Sequence, residues 1–223
     1  MEKFALIVAG GSGSRMGAEI PKQFLELAGK PILMRTMERF AAYDPDIRLA
    51  LVLPVSQITR WNELCHTYQF TLKHVVAKGG ESRFQSVKNG LALLPADGLV
   101  FIHDGVRPLL TVQTLRNCEE TAIKYGNALP VIPVVESLRQ LAGDSSRHVD
   151  RSQFRLVQTP QTFRLDLIKE AYLQPESPRF TDDASVCEAL GEKIHLVAGN
   201  PENIKITHPA DLKLAECLWS GLD

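Results

Sequence analysis

The chain opens with a six-residue apolar run, Phe4-Ala5-Leu6-Ile7-Val8-Ala9, that passes directly into Gly10-Gly11-Ser12-Gly13-Ser14-Arg15-Met16-Gly17. Four glycines in eight residues remove the Cβ atoms that keep a polyanion away from the backbone. They also allow φ > 0 where N–H groups must converge. Arg15, and Lys22 in the following Pro21-Lys22-Gln23-Phe24-Leu25, place two cations beside those amides. A strand feeding such a loop constrains both the fold and the ligand: the combination suits a triphosphate.

Further apolar runs with strand character recur at Ile47–Pro54, Thr71–Val76, Leu99–His103 and Ala128–Pro133. Between them lie helical patterns at Ile32–Ala42, Ser82–Leu94 and Thr111–Tyr125, the second ended by Pro95 and the third by Gly126. Strands with uncharged cores alternating with helices predict an α/β fold, with a mostly parallel sheet covered on both faces. Ligands in such sheets bind at the carboxyl ends of the strands. The stretch from about residue 133 to 162 breaks the rhythm, with β-prone pieces (Val134–Leu141, Phe154–Gln158) around the polar turn Gly143-Asp144-Ser145-Ser146-Arg147. It reads as a protruding β-arm that packs on a partner subunit. Helices at Leu165–Leu173 and Asp183–Leu190, strands at Lys193–Val197 and Asn203–Thr207, and a last helix from Pro209 complete one domain over residues 1–223.

The net charge of -1 gives no general basic field for nucleic acid, so any polyanion must be held by a local cluster. Cys65, Cys118, Cys187 and Cys217 form no C-x-x-C pair and read as free thiols in a reducing cytoplasm, not as a zinc site or disulfide framework. The first apolar run is too short for a signal peptide or membrane span, and the chain reads as soluble and cytoplasmic.

The opening loop fails two templates. A P-loop needs G-x-x-x-x-G-K-[ST], but Met16 stands at the second glycine and no Gly-Lys-Ser/Thr follows. A dinucleotide loop needs G-x-G-x-x-G, and Gly17 comes one residue late; the next strand also ends at Pro54, not at an acid. By elimination, the loop suits a nucleotide whose α-phosphate is attacked while pyrophosphate leaves, with fixed cations and backbone donors stabilising the charge.

Two other stretches carry chemistry. Gly79-Gly80-Glu81-Ser82-Arg83-Phe84-Gln85-Ser86-Val87 follows a strand and opens a helix. Its glycines let a base lie against the backbone, Glu81 and Ser86 can meet a base edge or ribose, and Ser82 or Glu81 can simply cap the helix. In His103-Asp104-Gly105-Val106-Arg107-Pro108, Asp104 and Arg107 can form a plain ion pair, or Asp104 can approach Mg²⁺ or a hydroxyl while Arg107 holds a phosphate or sugar. Lys205 is a lone cation in an apolar segment, either snorkelling or facing an anion. Ser185 and Cys187 have no supporting histidine and acid, so neither reads as a nucleophile.

These motifs, taken in order with Gln158-Thr159-Pro160-Gln161 and Asn203-Ile204-Lys205, closely resemble the 2-C-methyl-D-erythritol 4-phosphate cytidylyltransferase family over nearly the whole chain. The resemblance implies a single nucleotidyltransferase domain, Rossmann-like, and a homodimer whose β-arms lend residues to the partner's site. It also implies transfer of CMP from CTP to 2-C-methyl-D-erythritol 4-phosphate, in non-mevalonate isoprenoid biosynthesis. Mg²⁺ is implied too, held mainly by the CTP phosphates with no dedicated protein metal site. Carried over by position, Ala9, Gly10, Gly11 and Gly13 look like the phosphate-binding backbone, and Arg15 and Lys22 like transition-state stabilisers. Gly80, Glu81 and Ser86 resemble cytosine and ribose contacts, and Asp104, Gly105 and Arg107 substrate contacts. Ser137, Arg151 and Thr159 match arm positions that reach the substrate across the dimer, and Lys205 the cation near both phosphates. Gly105 stands where alanine is usual, Ser137 where threonine is usual, and Glu81 in place of a shorter acid.

Two other functions compete. One is ribitol 5-phosphate cytidylyltransferase, against which Val149-Asp150-Arg151 and Asn203-Ile204-Lys205 weigh. The other is a non-catalytic nucleotide-binding regulatory module, against which the joint presence of Arg15, Lys22 and Lys205 weighs.

Overall fold

The computed structural model describes residues 1–10 and 20–220. In chain order its first half runs β1 (Lys3–Val8), β2 (Glu26–Leu27), β3 (Lys30–Pro31), α1 (Ile32–Tyr43), β4 (Arg48–Leu53), α2 (Val55–Thr67), β5 (His74–Lys78), α3 (Arg83–Leu91) and β6 (Leu99–Asp104). The second half runs α4 (Val112–Tyr125), β7 (Asn127–Pro133), β8 (Leu138–Ala142), β9 (Ser145–Val149), β10 (Arg155–Val157), β11 (Gln161–Arg164), α5 (Leu165–Ala171), α6 (Asp183–Glu188), β12 (Leu196–Ala198) and α7 (Pro209–Trp219).

The main sheet has the order β10-β7-β11-β6-β1-β4-β5, with β12 beside β7. β6, β1, β4 and β5 pair in parallel, whereas β11 is antiparallel to both of its neighbours. Strand β1 has β4 on one side and β6 on the other, so the chain changes direction across the sheet at β1. Side chains alternate about it. Ala5 and Ile7 join α1, α2 and α4 through Met37, Trp61 and Leu115, while Phe4, Leu6 and Val8 join α3, α5 and α6 through Val87, Ile168 and Val186. Burial on both faces explains why these strands read as continuous apolar runs. At Gly90 on α3, an added Cβ would sit 2.5 Å from Leu6 Cδ1, so the glycine lets that helix lie against the sheet.

The differences from the sequence pattern have local causes. Helix α2 has no counterpart among the periodic stretches, because Trp61 is its one buried residue and a single apolar position leaves little periodicity. The strand expected at Thr71–Val76 begins at His74, where pairing with Leu49 of β4 starts. Asn203–Thr207 is not a strand. It is an extended loop tied to the end of β6 by Ile206 N–H donating to the Val106 carbonyl at 3.0 Å. Within residues 133–162, β8 and β9 pair with each other, whereas β10 joins β7 and β11 runs between β7 and β6. Strand β11 leaves no apolar signature because Gln161 and Thr162, although buried, are polar.

Candidate active site

The carboxyl ends of β1, β5 and β6 open on one cavity of about 310 Å³, at the point where the strand order reverses. Ala9 and Gly10 after β1, Gly80 and Glu81 after β5, Ser86 on α3, Asp104 at the end of β6, Lys22 and Lys205 all line it. Residues from both ends of the chain thus share one pocket. Gly11, Gly13 and Arg15 lie outside the described residues. Ser137 and Arg151 are exposed near the hairpin and do not line the cavity, and Arg151 instead donates to the Val135 carbonyl.

On the β5–α3 side, Ser82 caps α3 by accepting Gln85 N–H at 3.0 Å. The capping role therefore belongs to Ser82, which leaves Glu81 at the cavity rim. Ser86 is buried, and its Oγ accepts Gly80 N–H at 3.0 Å, folding the diglycine turn back over the helix start. A Cβ at Gly80 would lie 2.4 Å from Gln85 Cβ, so the turn tolerates no side chain there. Buried Gln23 donates to the Ala9 carbonyl at 3.2 Å and also bonds Gln57. It thereby fixes the 3₁₀ turn Lys22–Phe24, and with it Lys22, against the base of the glycine-rich loop.

On the other side, Asp104 Oδ2 meets Arg107 Nε at 3.2 Å and Lys205 Nζ at 3.0 Å. Burial works to raise the Asp104 pKa. The charges of Lys205, Arg107 and Arg83 outweigh it and hold the carboxyl well below the usual carboxylate range. Asp104 is therefore an anion near neutral pH, and Lys205, although its side chain is partly exposed, faces it as one of two counter-ions. Arg107 also donates to the Asn203 carbonyl at 2.7 Å, anchoring the segment that carries Lys205.

Beneath this cluster, Thr159 corrects one expectation. It is buried within its own subunit's sheet, between β10 and β11, and is not on the arm. Its hydroxyl accepts Asp104 N–H at 3.1 Å and lies 2.9 Å from His103 Nδ1. His103 Nε2 lies 3.0 Å from the Arg107 carbonyl. A carbonyl only accepts, so Nε2 carries the proton and Nδ1 accepts from Thr159. The chain Asp104 N–H to Thr159 to His103 to Arg107 fixes the loop that presents Asp104. Burial pushes the His103 pKa down to about 4, so the ring is neutral near pH 7.

Gly105 N–H donates to the Val8 carbonyl at 2.9 Å. An added Cβ would stand 3.0 Å from Ala9 Cβ and 2.9 Å from Leu33 Cδ1. Glycine lets the β6 loop close onto β1 here, and alanine would require Leu33 to shift.

Three residues at or behind the cavity receive no individual role from the sequence. Arg83 lines the cavity, buried Asp183 binds it from α6, and His103 supports Asp104. The diglycine motif contains Arg83, but its partner lies 100 residues away, and nothing local marks that pairing.

Comparison with known proteins decides among nucleotide-binding families. The family model described as 2-C-methyl-D-erythritol 4-phosphate cytidylyltransferase matches residues 4–220. The chain belongs to the 2-C-methyl-D-erythritol 4-phosphate cytidylyltransferase family. A protein of that name from Phocaeicola vulgatus is 54% identical over 218 residues, covering 98% of this chain and 100% of that protein. One from Geobacillus kaustophilus is 37% identical, covering 97% of this chain and 96% of its own. The crystal structure of the cytidylyltransferase from Thermus thermophilus matches with a TM-score of 0.79 at 35% identity, over 98% of each chain. The cavity has one wall from β1, β5 and α3 and a second from β6 and the Lys205 loop, with Lys22 and Asp104 among its lining residues.

Proposed function

We propose that the protein transfers a cytidylyl group from CTP to 2-C-methyl-D-erythritol 4-phosphate, releasing pyrophosphate. The observation that carries this reading is the single cavity in which the wall from β1, β5 and α3 faces the Asp104–Lys205 pair, in a chain that matches the family from end to end. The substrate phosphate oxygen attacks the α-phosphorus, the bond to the pyrophosphate oxygen breaks in line, and no enzyme-bound intermediate forms. The attacking phosphate is already ionised at neutral pH, so no general base is needed. His103, with both ring nitrogens engaged and its pKa near 4, supports the loop and takes no proton from substrate. Catalysis is then positioning plus electrostatics.

In this reading Ala9, Gly10, Gly11 and Gly13 give backbone donors to the phosphates, and Arg15 and Lys22 stabilise the charge that develops as pyrophosphate leaves. Gly80, Glu81 and Ser86 hold the base and ribose, while Asp104, Gly105 and Arg107 form the substrate wall. Lys205 bridges the two phosphates, tethered to Asp104 at 3.0 Å. Thr159 acts by holding Asp104 and His103. A magnesium ion fits as an ion carried on the triphosphate. Among the described residues no cluster of three or more histidine, cysteine or acidic side chains could cage a metal. Of the cavity's carboxylates, Asp104 is taken up by two cations and Glu81 sits at the rim. Bound in that way, Mg²⁺ would neutralise phosphate charge.

We further propose a cytoplasmic homodimer joined through the β-arm. Support comes from the hairpin β8–β9, whose strands pair only with each other among the described residues. Exposed apolar side chains lie at and beside it: Val135, Leu141, Phe154, Leu156 and Val157. Ser137 and Arg151, which do not line this subunit's cavity, would serve the partner's. Cys65, Cys118, Cys187 and Cys217 are all free thiols, in keeping with a reducing compartment. Among the described residues no helix is long and apolar enough to cross a membrane.

Two measurements test this. Pyrophosphate release is followed with CTP and either 2-C-methyl-D-erythritol 4-phosphate or ribitol 5-phosphate. Turnover with the first and about a hundredfold less with the second is expected; the reverse order would sink the assignment, and no release with either would leave a binding module. Separately, Leu141→Asp with Leu156→Asp should halve the mass seen by light scattering and abolish most activity. A fully active monomer would rule out a shared site.

A further inference from the structure

We propose that Asp183 and Tyr172, with Arg83, form a positioning clamp that sets the first turn of α3 and hence the base-reading turn Gly79–Ser86. Asp183 thereby governs nucleotide selectivity without entering the cavity. The inference rests on the reading that Gly80, Glu81 and Ser86 meet the base and ribose.

Arg83 is the first residue of α3, directly after the Ser82 cap. Its guanidinium donates to both Asp183 oxygens, at 2.8 and 2.6 Å, and the Tyr172 hydroxyl donates to Asp183 Oδ1 at 2.6 Å. Asp183 is fully buried, while part of the Arg83 side chain remains open and lines the cavity. The next residue makes a second tie, since Phe84 stacks between Tyr172 at 4.6 Å and Phe180 at 5.7 Å. The residue after that makes a third: Gln85 donates to Glu176 at 3.2 Å and accepts Glu81 N–H at 3.2 Å. Three consecutive residues at the helix start are thus fastened to the one stretch between Tyr172 and Asp183.

A buried ion pair is weak evidence for stability, because apolar replacements of similar volume are often neutral, and fixing register is its best-attested use. Gly79 N–H donates to the Leu53 carbonyl at 2.8 Å and fixes the strand side of this turn, so what it lacks by itself is register on the helix side. Gly79 and Gly80 impose little backbone preference, and the Gly80 N–H is aimed only through Ser86 on α3. A bidentate fork fixes orientation as well as distance. Rotation of the first helical turn would move Gly80, Glu81 and Ser86 together. A base edge is read by hydrogen bonds that need placement to about half an ångström, so loosening the clamp costs discrimination before it costs turnover.

The test compares Asp183→Asn, Tyr172→Phe, the pair Arg83→Met with Asp183→Leu, and Ser86→Ala. Each is measured by thermal unfolding and by pyrophosphate release with CTP and with UTP. Asp183→Asn and the paired replacement are expected to raise the CTP KM about tenfold, to lower kcat by less than that, and to narrow the CTP-to-UTP ratio of kcat/KM about tenfold. Tyr172→Phe shifts the same quantities by a smaller factor. The paired replacement unfolds within a few degrees of the parent, which separates positioning from bulk stability; if it does not fold, Asp183→Asn and Tyr172→Phe decide the matter. A parent-like CTP KM and nucleotide ratio in the clamp variants, with Ser86→Ala altered, overturns the clamp. Parent-like values in Ser86→Ala overturn the base-site reading itself, and the clamp's role with it.

Discussion

Replacing Lys22 by alanine is expected to lower kcat by a factor on the order of 10² or more, while the CTP KM rises far less. The asymmetry follows from when the charge appears. A cation that meets the triphosphate equally in the ground and transition states would shift KM, whereas one aimed at the oxygens that gain charge as pyrophosphate departs shifts kcat. Lys22 lines the cavity on a 3₁₀ turn that Gln23 fastens to the Ala9 carbonyl, so the backbone that carries it is set before substrate arrives. Arg15→Ala should behave in the same way. The measurement is steady-state pyrophosphate release across a CTP titration at saturating 2-C-methyl-D-erythritol 4-phosphate. Near-normal turnover in both variants would defeat the assignment.

The second large effect is on folding stability. His103 is fully buried, with its pKa near 4 against 6.5 for an unburied imidazole. Between those values the unfolded chain takes up a proton that the folded one refuses, so stability falls as the pH is lowered. From His103 alone the loss is about 2 kcal/mol by pH 5 and about 3 kcal/mol by pH 4. Asp104 acts in a separate window. Its depressed pKa gives stability that is fully present above about pH 4 and is lost only in stronger acid. Urea unfolding at pH 7, 6 and 5 checks the histidine contribution. His103→Gln should be less stable at pH 7 yet show a flatter dependence, and parallel curves for the two proteins would remove His103 as the cause.

The alternation of strands and helices is readable from Phe4, Ile47 and Leu99 onward because a parallel sheet buried on both faces leaves uninterrupted apolar runs. What stays hidden is whatever the core does not mark. Helix α2 buries only Trp61, and β11 enters the middle of the sheet through polar Gln161 and Thr162. At the site, Gly80, Ser86, Asp104 and Lys205 are recognisable because each stands in a loop after a strand or in a motif of unusual composition. Thr159 reads as an arm residue because a polar side chain among β-prone pieces looks the same in sequence whether it protrudes or is buried under a neighbour. Only its bonds to His103 and Asp104 N–H separate the two. Asp183 is illegible for a different reason. A carboxylate that opens an amphipathic helix is ordinary, and the partner that makes it matter lies 100 residues earlier.

Strand β11 also has a consequence for the order in which the molecule can be made. It fills the place between β6 and β7, strands that are complete by Pro133, yet it arrives only at Gln161–Arg164, after the whole hairpin. A chain growing from its amino end can therefore assemble β1, β4, β5 and β6 early but must leave the β6 edge open until Gln161 is added. Exposed strand edges of this kind invite wrong pairing. The hairpin, whose two strands are joined by a short local turn, closes a loop at little entropic cost and can form while that edge waits. Asp104 acquires Thr159 when β11 docks, and Lys205 later still. A half-made chain can thus own the strands β1, β4, β5 and β6, but the turn before α3 gains its ties only with Tyr172–Asp183 and the opposite wall only with Lys205.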